Sequence, residues 1–223
     1  MKNKNPERFL VEESRPVDWF ETLYSGSSTG GEGVPWANMK THPSFDDWLT
    51  RNPLDGNGKS ALVVGCGMGD DAVELESLGF QVTAFDVSES AIKFCRERFP
   101  QSKVDFVQAD LLQAQEQWHH RFDFVLEIFT IQALPPKYEE QVIENISRYT
   151  APGGQILVIA ADSPEQRSFE NGPPWVRSAE HIEAFETRGY RVERHYVEKA
   201  SSRGDGSETN VTLFTRTEGP AND

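Results

Sequence analysis

The sequence has few cysteines and no long apolar segment. Only two cysteines occur among its 223 residues, and a chain of this length buries enough core to need neither disulfides nor a structural metal. No apolar run approaches the roughly 20 residues that span a bilayer. The polar start MKNKNPERFL lacks the apolar stretch of a secretory signal. We therefore expect a reducing, cytoplasmic location and no membrane partner.

Basic residues are also in short supply. There are 22 Lys and Arg against 36 Asp and Glu, so the formal net charge is 22 − 36 = −14. Such a surface repels phosphate backbones and anionic lipids. We therefore expect a small-molecule substrate and no nucleic-acid partner. The five histidines show no metal-ligand spacing such as H-E-x-x-H, and no metal site is predicted. The sequence makes no prediction of oligomeric state.

The N-terminal part of the chain differs in composition from the rest. Residues 1–57 are rich in Gly, Ser and Pro and hold three of the five Trp. Short helices are predicted near 17–24 and 45–50, with a loop between them. We interpret residues 1–57 as an extension that forms a lid over the ligand site of a main domain, residues 58–218. Residues 219–223 are interpreted as a tail.

From residue 59 onward, short apolar runs alternate with helical patterns. Strands are predicted over 60–64, 81–85, 104–107, 122–128, 155–161, 190–198 and 211–216, and helices over 70–78, 88–98, 138–149 and 178–188. This alternation is typical of parallel βαβ units, and two closing strands after the last helix favour an antiparallel edge. The predicted fold is α/β: a Rossmann-like, doubly wound, seven-stranded, mostly parallel sheet with an antiparallel C-terminal edge strand and a helical N-terminal extension.

The sharpest local signal is the segment VVGCGMGDDA, in which Gly65, Gly67 and Gly69 follow a predicted strand and open a helix. Glycines there permit a tight turn and close backbone approach to a ligand. The spacing is G-x-G-x-G rather than the dinucleotide fingerprint G-x-G-x-x-G. Asp70 and Asp71 at the helix start would oppose a pyrophosphate. They would suit a ligand that presents a cation, such as the amino-acid part of S-adenosylmethionine.

Two further carboxylates follow the next two predicted strands. Asp86 ends the second strand, where a carboxylate can accept hydrogen bonds from both hydroxyls of a ribose. Asp110 follows the third strand, where it can accept from an adenine amino group. The structural alternative for each is a helix-capping or turn Asp. Because the carboxyl ends of parallel strands share one edge of the sheet, we expect both to lie beside the glycine loop.

With these three elements the chain resembles the class I S-adenosylmethionine-dependent methyltransferases. Within them it is most similar to the thiopurine and methyl halide transferase group, and less so to tellurite-resistance methyltransferases. The stretches that carry the resemblance are GCGMGDDA at 65–72, FDVSESAI at 85–92, ALPP at 133–136 and the Pro-Trp segment at 34–49. The resemblance implies S-adenosylmethionine as cofactor and S-adenosylhomocysteine as product.

The resemblance also implies a cofactor layout. The glycine loop would line the methionine part, Asp86 the ribose, Asp110 the adenine edge, and the end of the fourth strand the amino group and methyl. The residues expected at the cofactor are Trp36, Gly65, Cys66, Gly67, Gly69, Asp71, Asp86, Val87, Asp110, Leu111, Glu127 and Ile128. For Trp36 the alternative is plain packing of the N-terminal region onto the sheet.

The acceptor site is predicted less directly. Its candidates are Trp19, whose aromatic face would attract a sulfonium, and Gln132, Trp175 and Arg177 in the loops after the fourth and fifth strands. For each of these, ordinary packing or a surface position is the alternative. No catalytic residue is assigned. Glu127 is the candidate general base, with binding of the cofactor ammonium group as its alternative role.

The predicted function is methyl transfer to a small molecule by in-line displacement, with a thiol, a halide or another soft nucleophile favoured, because such an acceptor needs no general base. A nicotinamide-dependent oxidoreductase is the alternative among nucleotide-binding α/β enzymes. The shifted glycine spacing and the acidic helix start count against it. A third hypothesis is a non-enzymatic module that binds S-adenosylmethionine.

Overall fold

The predicted alternation of strands and helices is present in the structure. This computed structural model describes residues 11–162, 169, 172–175, 180–199 and 208–217. The helices are α1 (Asp18–Ser25), α2 (Pro43–Arg51), α3 (Asp70–Ser77), α4 (Glu89–Arg98), α5 (Glu139–Tyr149) and α6 (Glu180–Glu186). The strands are β1 (Ser60–Val64), β2 (Gln81–Asp86), β3 (Asp105–Gln108), β4 (Phe122–Ile128), β5 (Thr150–Asp162), β6 (Tyr190–Lys199) and β7 (Glu208–Arg216). The predicted tail, 219–223, lies outside the described residues.

Within the described residues, the strands form one seven-stranded sheet in the order β3-β2-β1-β4-β5-β7-β6. Neighbours from β3 to β5 pair in parallel, whereas β7 runs antiparallel to both β5 and β6. The predicted fold class is confirmed, and β7 is the predicted antiparallel strand. It lies one place in from the edge, because β6 pairs with its outer side. The chain leaves β1 in one direction and returns through β4 on the other side, which creates a crevice at the carboxyl ends of these strands.

Both faces of the sheet are buried, as the continuous apolar run of β1 predicts. Ala61 and Val63 face a cluster that includes side chains of α2, α3 and α4. Leu62 and Val64 face a second cluster, formed with α5 and α6. Helices on both faces make the sheet doubly wound, which leaves its carboxyl edge as the place for a ligand.

Two predicted boundaries differ from the structure. The predicted strand 155–161 begins earlier, at Thr150, so the segment 151–154 belongs to β5, where a register shift between Phe122 and Phe124 on β4 absorbs the extra residues. Gly153 adopts φ +73° in this irregular stretch. Helix α6 ends at Glu186 rather than at the predicted residue 188, and residues 178 and 179 of the predicted helix lie outside the described residues. At the start of α4, Ser88 Oγ caps the helix by accepting a hydrogen bond from Ala91 N at 3.0 Å.

The N-terminal region contributes to the core as well as to the cavity. On α2, Phe45 and Trp48 are fully buried in the cluster above β1. Helix α1 instead packs beside α4, on top of the crevice. Among the described residues, every helix is too short or too polar to cross a membrane.

Candidate functional site

A cavity of about 800 Å³ opens at the carboxyl ends of β1, β2 and β4. Its floor is the loop between β1 and α3, and its cover is the segment from α1 to the start of α2. The volume falls in the range of about 300–1,000 Å³ that is usual for sites that bind small molecules. Most of the predicted cofactor residues meet here. Those that line the cavity are Trp36, Gly65, Cys66, Gly67, Gly69, Asp71, Asp86, Val87, Asp110, Leu111 and Ile128.

The glycine loop needs its glycines for conformation and for space. Gly65, Gly67 and Gly69 have φ values of +60°, +53° and +87°, a region that side chains other than glycine rarely occupy. A Cβ atom on Gly65 would lie 2.5 Å from Thr130 Oγ1, and one on Gly69 would lie 2.9 Å from Cys95 Sγ. Any larger residue would therefore displace a neighbour and distort the floor of the cavity.

Asp86 is a buried carboxylate at the end of β2. Its Oδ2 accepts from Gly67 N and its Oδ1 from Ser88 N, each at 3.0 Å. Burial raises the pKa of Asp86 to about 6, although these amide hydrogen bonds oppose the shift. Each oxygen keeps a further lone pair, and the residue lines the cavity. A ligand that donates hydrogen bonds, such as a ribose diol, would occupy the remaining acceptor positions of this carboxylate.

The two acidic residues at the start of α3 have different partners. The carboxylate of Asp70 forms two hydrogen bonds with the guanidinium of Arg98, at 2.7 and 2.8 Å. This ion pair corrects the expectation that both carboxylates face a cationic ligand. Asp71 Oδ1 accepts from His42 N at 2.7 Å, and burial raises the pKa of Asp71 to about 7. Of this pair, Asp71 is the carboxylate available to a cation.

Asp110, which the sequence predicts at the adenine edge, lies in a half-buried wall of the cavity. Asp110 Oδ1 accepts from Leu112 N at 2.9 Å, which is the turn-forming role considered for it. That bond leaves acceptor capacity on the same carboxylate. The apolar side chains of Val87 and Leu111 line the cavity beside it, so an aromatic base would find both apolar contact and one hydrogen-bond acceptor there.

Aromatic rings from the N-terminal segment cover the cavity. The centroid of Trp36 lies 5.7 Å from that of Trp19 and 6.2 Å from those of Phe20 and Tyr24, and Trp36 meets each ring nearly edge-on. Trp19 is buried, whereas Trp36 keeps 37% of its surface exposed. Both tryptophans line the cavity and pack against the rings around them, and their contact with a ligand stays a prediction.

The loop after β4 forms one wall of the cavity. Gln132 lines the cavity, and its Oε1 accepts from Ala161 N at 2.8 Å. Phe129 has φ +58°, a strained conformation for an aromatic residue and one that is concentrated at functional sites. Pro173 and Pro174 complete this side of the cavity.

Two of the predicted site residues, Glu127 and Trp175, are buried and do not line the cavity. Glu127 is fully buried, and its Oε1 accepts from Thr130 N at 2.6 Å and Ile131 N at 2.9 Å. Its side chain is not among those that line the cavity, whereas its neighbour Ile128 is, and a role for Glu127 at the cofactor or as a base stays a prediction. Trp175 is also buried, and its N donates to Gln132 O at 2.7 Å. Arg177 lies outside the described residues.

Three of the cavity residues that the sequence reasoning missed lie close to the predicted site. Tyr24, His42 and Thr130 all line the cavity. Tyr24 stands four residues after Phe20 on α1, a helical spacing that offered a signal. His42 Nδ1 accepts from Ser44 N at 3.3 Å and so caps α2. The contact of Thr130 with Gly65 depends on the fold and has no signal in the local sequence.

The arrangement suits S-adenosylmethionine better than a dinucleotide. Asp71, Trp19 and Trp36 all line the cavity, so a cation there would have a carboxylate and aromatic rings for neighbours. A diol meets Asp86. By contrast, the backbone N–H of Gly67 is already bound to Asp86 and so is not free for a pyrophosphate. The residues present therefore fit the cofactor expected from the sequence.

Comparisons with known proteins agree with this geometry. A family model described as "Methyltransferase domain" matches residues 61–154. The probable thiol methyltransferase 2 of Arabidopsis thaliana is 26% identical over 177 residues, which cover 74% of this chain and 75% of that protein. A tRNA N(3)-methylcytidine methyltransferase of Schizosaccharomyces pombe is 33% identical over 124 residues, which cover 51% of this chain and 40% of the relative.

A solved structure shows the same fold. The N-methyltransferase NodS of Bradyrhizobium japonicum, in complex with S-adenosylhomocysteine, superposes with a TM-score of 0.68 at 18% identity. The match covers 91% of this chain and 99% of that one.

Proposed function

Because the chain belongs to the class I S-adenosylmethionine-dependent methyltransferases, we propose that it methylates a small molecule at a soft nucleophilic atom, with a thiol favoured. The observation that carries this proposal is the cavity itself. It extends from the glycine loop and Asp86 to a second region walled by Phe129, Pro173 and Pro174. A cofactor in the first region would leave the second for an acceptor of modest size.

The charge around the cavity supports a small acceptor over a nucleic acid. The acidic side chains that line it are Asp46, Asp47, Asp70, Asp71, Asp86, Asp110 and Glu198. Among the described lining residues, Lys40 is the sole lysine or arginine. A phosphate backbone would be repelled here. A neutral thiol would enter without this cost, and anionic acceptors such as selenite are disfavoured.

For methyl transfer from a sulfonium, the protein mainly has to align the two reactants and exclude water. When bound, S-adenosylmethionine supplies a methyl group on a sulfonium, which leaves as a neutral thioether. The chain's residues hold the cofactor through Asp86, Asp71 and the glycine loop, and the aromatic cover excludes water. With an ordinary pKa of about 8.5, a thiol is partly ionised near neutral pH, so it can lose its proton to solvent and its sulfur can then take the methyl group without a side-chain base. The burial of Glu127 outside the cavity is consistent with an acceptor that needs no carboxylate base.

We also propose that the cover is a lid that must open for ligands to enter. Its parts are α1 and the loop up to His42, because α2 is anchored in the core by Phe45 and Trp48. Two carboxylates fasten this lid. Glu21 binds the start of α4, and Asp71 accepts from His42 N. A lid of residues before α2 is shorter than the extension of residues 1–57 predicted from composition. We place the protein in a reducing, cytoplasmic compartment, in keeping with its two free thiols.

An acceptor screen tests the proposed function. Purified protein is incubated with S-adenosylmethionine and, separately, with small thiols, halides, selenite, amines, phenols and unmodified tRNA, and S-adenosylhomocysteine is measured. We expect thiols to give the highest kcat/KM. The Asp86→Ala variant controls for background and should lose turnover with every acceptor. Methylation of tRNA, or of amines and phenols but not thiols, would contradict the proposal.

A further inference from the structure

Tyr24 is a buried hydroxyl in the wall of the cavity. The residue is 1% exposed, and its Oη accepts a hydrogen bond from Trp36 Nε1 at 2.7 Å. Among the residues that the structure describes, none accepts the proton of this hydroxyl. A buried donor without an acceptor is costly, so a ligand in the cavity is the natural partner for it.

The hydroxyl stands directly over the glycine loop. A Cβ atom on Gly67 would lie 2.9 Å from Tyr24 Oη and 3.9 Å from Trp36 Nε1. The backbone N–H of Gly67 is bound to Asp86 Oδ2, and Trp36 Nε1 is bound to Tyr24 itself. At this point of the cavity, the donor left for a ligand is therefore the Tyr24 hydroxyl.

The hydroxyl keeps its proton because of its surroundings. Burial and the charge of Asp86 raise the pKa of Tyr24 well above its ordinary value, against a smaller lowering by the bond from Trp36. The protonated hydroxyl can donate a hydrogen bond to an anionic acceptor, whereas a phenolate would repel it. The bond from Trp36 also polarises the hydroxyl and strengthens its own donation.

We infer that Tyr24 binds the cofactor directly and that its hydroxyl donates to the carboxylate of the amino-acid part. This assignment relies on S-adenosylmethionine as the cofactor of the proposed function and is independent of the acceptor. It divides the charges of the amino-acid part between two groups: Asp71 faces the ammonium and Tyr24 faces the carboxylate. Trp36 then acts twice, through its ring over the cavity and through its Nε1–H on Tyr24.

The test compares ligands with and without the amino-acid part. Calorimetry measures the affinities of the wild type and Tyr24→Phe for S-adenosylhomocysteine and for 5′-methylthioadenosine, which has the same nucleoside but no carboxylate. We expect Tyr24→Phe to bind S-adenosylhomocysteine roughly ten- to hundredfold more weakly, as for a lost hydrogen bond to a charged group. Its affinity for 5′-methylthioadenosine should stay at the wild-type value. Tyr190→Phe is the matched control, since it removes another buried hydroxyl, bound to Ser147 O outside the cavity.

Two results would overturn the assignment. One is an unchanged affinity of Tyr24→Phe for S-adenosylhomocysteine, and the other is an equal loss for both ligands, which would show packing alone. If the variant does not fold, the wild type still decides, because it should bind decarboxylated S-adenosylmethionine much more weakly than S-adenosylmethionine. Equal affinities would then refute the role of a carboxylate contact. Since no acceptor is needed, these results are separate from those of the acceptor screen.

Discussion

Glu127 illustrates how a single side chain can organise a site without facing it. Its carboxylate receives the backbone N–H groups of Thr130 and Ile131. Thr130 in turn contacts Gly65 of the glycine loop, and Gln132 in the same turn holds Ala161 N. The buried acid therefore fixes the turn that joins the cofactor region to the acceptor wall. We regard it as a positioning residue.

This role predicts different outcomes for two substitutions. Glu127→Gln keeps an oxygen that accepts from both amides, so its kcat and its affinity for S-adenosylhomocysteine should stay close to wild type. Glu127→Ala should lower the free energy of unfolding by about 1–3 kcal/mol for each buried amide that loses its acceptor. Chemical denaturation and steady-state kinetics with the acceptor found in the screen measure these effects.

A general base would behave in the opposite way. Removal of its ionisable oxygen in Glu127→Gln would reduce kcat roughly a hundred- to ten-thousandfold, while the protein stayed folded and bound S-adenosylhomocysteine. That result would show that Glu127 acts as the general base.

The position of Glu127 was beyond the reach of the sequence, for a physical reason. Strand β4 reads FDFVLEI and is buried on both faces, so alternation carries no information about which face a given residue occupies. The conformation of Gly65, Gly67 and Gly69 could be predicted from the sequence, because a strand that turns at once into a helix needs residues in the left-handed backbone conformation. By contrast, the ion pair of Asp70 with Arg98 joins α3 to α4, and a local pattern cannot show such a contact.

At the scale of elements, α1 is the part of the fold that the sequence described least well. Its helix was predicted near 17–24 and occurs as Asp18–Ser25, but its docking site was not predicted. Glu21 supplies the docking contact. Its carboxylate accepts from Ser88 Oγ at 2.7 Å, Ser90 N at 3.1 Å and Ser90 Oγ at 2.7 Å. These bonds tie the lid to the residues that directly follow Asp86.

We expect Glu21→Ala to loosen the lid. Loss of these hydrogen bonds should lower the protection of the α1 amides against hydrogen exchange by about 1–3 kcal/mol. It should also weaken the binding of S-adenosylhomocysteine, because α1 carries Trp19 and Tyr24 over the cavity. Hydrogen exchange followed by mass spectrometry and calorimetry measure the two effects.

Glu89→Ala provides the control for charge. Glu89 is an exposed residue in the first turn of the same helix, α4. Its substitution by alanine deletes a negative charge but keeps the backbone N–H that bonds to Glu21. The lid proposal fails if the exchange of α1 amides in Glu21→Ala matches that in Glu89→Ala.

At the scale of the whole molecule, the strand order explains why distant residues form one site. Parallel pairing of β1 with β2 and β4, and of β2 with β3, brings the ends of these strands to one edge. The fold class could be predicted because apolar periodicity repeats at nearly every strand and helix from residue 59 onward. The placement of the N-terminal cover could not, because its Gly-rich loop has no periodicity and its position depends on tertiary contacts.

The net charge of −14 also acquires a partial explanation at this scale. Several carboxylates line the cavity, and burial raises the pKa of Asp86 to about 6 and that of Asp71 to about 7. Both are acids whose charged forms are disfavoured in the protein without ligand. A cationic cofactor compensates for their charge, so its binding should favour the ionised forms and release protons.

The central claim is that Asp86 at the end of β2 holds the cofactor, and calorimetry with S-adenosylhomocysteine between about pH 5 and pH 8 tests it most directly. The ionised carboxylate is the better acceptor for ribose hydroxyls. Affinity should therefore rise with pH, by up to about tenfold per unit below the pKa of the group, and level off above it. Asp71 titrates in the same range, so the difference between the wild type and Asp86→Asn isolates Asp86.

In that titration we expect Asp86→Asn to bind about 1–3 kcal/mol more weakly than the wild type near pH 8, and to lose the share of the pH dependence that Asp86 contributes. Asp105→Asn, an exposed carboxylate at the opposite end of β3, should behave as wild type. The account is contradicted if Asp86→Asn binds S-adenosylhomocysteine with the affinity and the pH dependence of the unmodified protein.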